Sequence, residues 1–190
     1  DTEGPNGKTA ELLFGDGVRL QWLAPGETRP KKYQLLFDFE DDHSLVCSVQ
    51  MYGGMWAFPA GTMENPYWQT AQDKPSPLTD AFTREYFARL AEEAGPKASA
   101  KVFLATQQRV PGLGNGVLQD ILFNASVHPK TPIGRLNETQ IDTLYRSGKD
   151  TLGEMAAKGS RGTEKDIFGC PGGYPVVLSA KTAGTPCPVC

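Results

Sequence analysis

Two short stretches carry residue types whose spacing could do chemistry. The first is Cys187-Pro188-Val189-Cys190. A Cys-x-x-Cys pair is half of a tetrahedral zinc site, and in another setting it is a redox couple. The second is Pro111-Gly112-Leu113-Gly114-Asn115. Proline and two glycines there make consecutive tight turns that leave backbone N–H groups unpaired, and Asn115 stands where the next helix begins. Free amides, a helix N-terminus and a short amide side chain together suit a phosphate oxygen. The same residues could do no more than permit the turn and cap the helix.

Helices must hold the second stretch in place. "NGVLQDILFNA" follows it, with Val117, Leu118, Ile121 and Leu122 at core spacing. Upstream, "DAFTREYFARLAEEAG" puts Phe82, Tyr86, Phe87 and Leu90 on one face and ends at Gly95, and "ASAKVFLAT" reads as a second helix. A fourth begins at Asn137, which has capping-box spacing to Gln140, and buries Ile141, Leu144, Leu152 and Met155. The first half reads as strands instead. "AELLF" and "VRLQWL" flank Gly15-Asp16-Gly17, a hairpin-type turn signal. "YQLLFDF" and "LVCSVQM" suit a hairpin closed by "EDDHS", and Gly53-Gly54 breaks the chain before "MWAFP". Between the halves, prolines at 66, 75 and 77 predict an irregular linker over 59–79.

Composition bounds the rest. The 190 residues are 39% apolar with 21 Gly and 15 Pro, enough for a core in a loop-rich build. No run of about 18 apolar residues suggests a membrane span, and no charged-then-apolar leader is visible. Four cysteines, at 47, 170, 187 and 190, do not suggest a disulfide scaffold, so a reducing cytoplasm is expected. Cys47 lies in a strand-like apolar run and reads as a buried thiol. The net charge of −3 hides a gradient. Residues 1–100 hold 9 Lys and Arg against 15 Asp and Glu; residues 101–190 hold 10 against 7. A polyanion would be gripped mainly by the second half.

The segment "QQRVPGLGNGVLQDILFNASVHP" resembles the helix–two-turn–helix motif of the formamidopyrimidine-DNA glycosylase/endonuclease VIII family. "GRLNETQIDTLYRSGKDTLGEMAAKGSRG" is similar to that family's long helix and basic loop. "GGYPVVLSAKTAGTPCPVC" resembles the start of its C-terminal zinc ribbon, and "KKYQLLFDFEDDHSLVCSVQMYGG" one of its hairpins. The resemblance implies an α+β fold: a partial N-terminal antiparallel β-sandwich over 1–58, then a linker over 59–79. A DNA-binding helical domain would cover 80–168, and an incomplete zinc ribbon 169–190. It implies base-excision repair of damaged double-stranded DNA by a monomer, through glycosylase and apurinic-site lyase activities. Its DNA-binding residues would be Asn115, Gly112, Gly114, Arg109, Arg161 and Lys158. Cys187 and Cys190 would be two of four ligands to a structural zinc, with Cys170 a loop thiol.

Departures from that pattern bear on activity. The family's nucleophile is an N-terminal proline, followed by a glutamate, and this chain opens "DTEGPNGKTA". "GPNGK" reads as a hairpin turn with Lys8 on its flank, and a catalytic lysine sits on such a turn in the family. In the family two loops fill the vacated base stack; "FGDG" and "VQMYGG" resemble them, with Asp16 and Met51 at the corresponding places, so the resemblance implies an altered insertion device. Asp120 stands where many members have Glu, and His128 is expected to serve a turn. Two functions follow: part of a glycosylase, or a catalytically silent DNA-binding module of the same descent.

Overall fold

The computed structural model of the chain describes residues 2–3, 9–50 and 52–189. It divides into two compact units. One comprises 1–64 with 163–172, and the other 65–162 with 173–190.

Among the described residues, the first unit holds six strands in two three-stranded antiparallel sheets. One has the order β1 (Thr2–Glu3), β2 (Thr9–Phe14), β6 (Met55–Pro59). The other has β3 (Val18–Leu23), β5 (Ser44–Val49), β4 (Leu35–Asp38). β4 and β5 form the hairpin that "EDDHS" predicts, with Leu35 opposite Cys47 and Asp38 opposite Ser44. Asp42 takes the left-handed conformation in its turn, φ 62°. Gly15-Asp16-Gly17 does not make a hairpin. β2 pairs with β1 and β6, β3 pairs with β5, and the turn passes the chain from one sheet to the other. Two glycines allow the crossing because a second loop comes so close: a Cβ on Gly17 or Gly53 would strike the other loop's backbone. Leu23, Val46 and Cys47 are buried, and burial raises the Cys47 thiol pKa, as a structural thiol requires. The exposed edge of β3 receives the 163–172 segment, where the Trp22 N–H donates to the Ile167 carbonyl at 2.7 Å. Trp22 also meets Phe39 and Phe168, at centroid distances of 5.1 and 6.5 Å.

The second unit is helical. Its first element corrects the expected irregular linker: α1 runs Pro66–Asp73 within 59–79. Asn65 caps it, accepting from the Tyr67 and Trp68 amides at 3.0 and 3.2 Å. Pro66 costs nothing at the first helical position, where an N–H would have no partner, and Pro75 and Pro77 fall after the end. α2 (Arg84–Ala94), α3 (Ala100–Ala105), α4 (Asn115–Asn124) and α5 (Glu138–Ala157) follow. Asn137 and Gln140 form the reciprocal capping box at the head of α5. Phe87, Phe103, Leu118, Ile121, Leu122 and Leu144 build one core, each at most 2% exposed. Leu152, expected in the buried stripe of α5, is only partly covered. After Tyr174 the chain runs in turns with no strand among the described residues.

Candidate nucleic-acid interface

Gly112 has φ 75°, reachable at low cost only without a side chain, and Gly114 is the N-cap of α4. Asn115 is therefore the first helical residue rather than the cap, and its exposed side chain makes no capping bond. Val117 and Leu118 both donate to the Gly114 carbonyl. The amides of Gly114, Asn115 and Gly116 have no protein acceptor among the described residues. Three amides, one exposed carboxamide and the positive end of a ten-residue helix thus lie together at the start of α4. The capping role weighed for Asn115 falls away.

The basic residues are placed differently from one another. Arg161 is brought to the turn, its guanidinium lying against bare Gly116. Lys158 closes α5 and pairs with Glu154 at 2.6 Å. Arg109 folds back on the end of α3, donating to the Val102 and Thr106 carbonyls at 3.4 Å and to the Gln107 carboxamide. There it satisfies helix-terminal oxygens. Just before it, Gln107 and Gln108 are left-handed, φ 57° and 48°, a strained pair for non-glycine residues. Lys74, which the sequence did not single out, pins them by donating to the Gln108 carbonyl at 2.8 Å.

Asp120 carries another unforeseen role. Its carboxylate is 0% exposed and accepts the amides of Val177 and Leu178 at 3.0 and 2.9 Å. An acidic residue inside "VLQDILF" signals a buried polar anchor, but its partners stand 57 and 58 residues away. Beside it Tyr174 is buried, which raises the phenol's pKa, and Asp120 raises it further. Asp120 thereby fixes the tail on α4. A groove of ≈ 680 Å³ results, with Asn115, Leu118, Leu178, Cys187 and Val189 among its lining residues.

Other expected site residues are dispersed. Cys187 is exposed, whereas Cys190, Lys8 and Met51 lie outside the described residues. Among the described residues no three His, Cys, Asp or Glu side chains are grouped so as to hold a metal ion. Cys170 is exposed in a loop, its amide donating to Asp166 at 2.8 Å. His128 serves a turn, accepting the Lys130 amide at 3.2 Å. The two loops compared with base-stack inserters do meet: Gly15 donates to Gly54, and Gln50 to Gly17, at 2.9 and 2.7 Å.

Over residues 74–166 the chain matches the family model described as formamidopyrimidine-DNA glycosylase H2TH domain. A formamidopyrimidine-DNA glycosylase of Aliivibrio fischeri (strain MJ11) is 40% identical over 120 residues, covering 61% of this chain and 43% of the relative. One from Photobacterium damsela subsp. piscicida is 30% identical over 227 residues, covering 95% of this chain and 83% of the relative. The solved complex between the Lactococcus lactis Fpg and an abasic site containing DNA shares the fold. Its TM-score is 0.70 at 21% identity, covering 86% of this chain and 60% of that one. The chain belongs to the formamidopyrimidine-DNA glycosylase family. It spans about half the length of the first curated relatives it matches.

Proposed function

We propose that this chain is the backbone-gripping part of a base-excision DNA glycosylase acting on damaged double-stranded DNA, with an associated apurinic-site lyase step. The observation that carries the reading is the uncommitted Asn115 carboxamide beside three acceptor-free amides at the start of α4. A DNA phosphate oxygen satisfies all of these at once, and the helix dipole favours its charge. Gly112 and Gly114 keep the approach clear, and Arg161 supplies a fixed positive charge nearby. Lys158 and Arg109 add to the local field. Contacts of this kind set register on the duplex and read no sequence.

The chemistry belongs to an amine that attacks the sugar C1′ to form a Schiff base. No Pro-Glu pair occurs in these 190 residues, which supports the second reading for the chain as it stands: binding without strand cleavage. Cys187 and Cys190 would contribute two thiolates to a structural zinc. A reducing cytoplasm suits a cysteine pattern that suggests no disulfide scaffold; among the described residues no helix is long and apolar enough to cross a membrane.

Binding of Asn115→Ala to duplexes of several sequences tests the reading. Affinity should fall by a similar factor on each, and the salt slope should become shallower by about 0.9 for one lost phosphate contact. Unchanged affinity and slope would remove Asn115 from the contact set, and a loss confined to one sequence would mean base readout.

A further inference from the structure

Gly116 has no role in the turn itself: it lies inside α4 and needs no left-handed backbone. Gly116 is the second residue of the helix, and glycine within a helix is disfavoured by up to about 1 kcal/mol relative to alanine. What occupies the space of its missing side chain is the guanidinium of Arg161, whose Nη1, Cζ and Nη2 are the three nearest atoms to a Cβ built there.

The backbone around Arg161 is fixed independently. α5 ends in a Schellman turn, Gly159 donating to Ala156 at 3.2 Å and Ser160 to Met155 at 2.9 Å, with Gly159 at φ 70°. Tyr174 then holds both sides of Arg161, its amide donating to Ser160 at 3.0 Å and its carbonyl accepting from Gly162 at 2.8 Å. Arg161 thus leaves a clamped backbone and reaches the first turn of α4, where only glycine gives it room. We infer that Gly116 is a positioning residue. Its bare Cα seats the Arg161 guanidinium beside the Asn115 amides, so that charge and amides address one DNA phosphate together. This deepens the backbone-binding reading and rests on it.

Gly116→Ala is suited to the test because the atoms it would strike are the far end of a flexible side chain, so the fold can absorb the methyl while Arg161 moves. Duplex affinity, salt slope and melting temperature of the 190-residue chain would be measured for G116A, R161A, the double variant and N115A. Seating predicts that G116A and R161A each weaken binding by about three- to tenfold, one charge-assisted contact's worth. Each should make the salt slope shallower by about 0.9. The double variant should bind no worse than R161A, because the methyl then has nothing to displace. Alanine at 116 should also raise the melting temperature more in the R161A background than alone. G116A binding like the parent while N115A is impaired would overturn the seating role and leave the backbone reading standing. Additive losses in the double variant would overturn it too. If N115A and R161A both bind like the parent, the phosphate site itself fails and this inference with it.

Discussion

At the residue scale, two asparagines at helix starts have opposite duties. Asn137 is an N-cap whose oxygen accepts the Gln140 amide at 2.9 Å. Asn115 stands one position further in and caps nothing. Asn137→Ala should therefore lower unfolding free energy by about 1 kcal/mol and leave DNA affinity unchanged. Asn115→Ala should do the reverse, since alanine is at least as good a helix former. Urea unfolding and duplex titration of the same two proteins check both halves. A buried pair gives a pH-dependent contrast. Burial and then Asp120 hold the Tyr174 phenol above its ordinary pKa. A group whose folded pKa is raised contributes stability below its unfolded value, near about 10, and loses it as pH climbs through the folded value. Stability should fall in that alkaline window, and Tyr174→Phe should remove this contribution; the urea midpoint across the window measures it.

At the element scale, α4 serves two surfaces. Its N-terminus offers amides, while one turn further on Asp120 anchors the tail through two backbone N–H groups. Asp120→Ala would leave both amides buried without an acceptor and should cost about 2–4 kcal/mol. Asp120→Asn keeps one oxygen and should cost less. Equal stability of Asp120→Ala and the parent in urea would mean that the tail does not depend on this carboxylate. The groove between α4 and the tail has both Asn115 and Cys187 among its lining residues, which ties the anchor to the proposed phosphate site.

At the scale of the whole chain, the helical unit holds every residue of the proposed phosphate grip, and the chemistry is a separate requirement. Schiff-base chemistry needs an unprotonated amine held against C1′ within a near-attack geometry. With no Pro-Glu pair in the sequence, borohydride treatment with an abasic-site duplex should trap no covalent adduct from these 190 residues. The comparison is a version carrying Pro-Glu ahead of the sheets, which should be trapped. An adduct from the 190-residue chain would refute the expectation and make Lys8 the first residue to replace.

Local chemistry made much of this legible in advance. The capping box of α5, the α2 stop at Gly95, the β4–β5 hairpin and the glycine turn before α4 each follow from a few neighbouring residues, because caps, turns and periodicity are short-range. Proline at 66 misled because the same residue breaks a helix interior and begins a helix, and only the position of the Asn65 cap decides which. Gly15-Asp16-Gly17 misled because a turn signal fixes a reversal but not the partner; that partner was set by the close approach of Gly53. Asp120's amide partners and the seat of Arg161 on Gly116 were beyond sequence reach. Each joins residues dozens of positions apart, and such contacts exist only once helices and tail have packed.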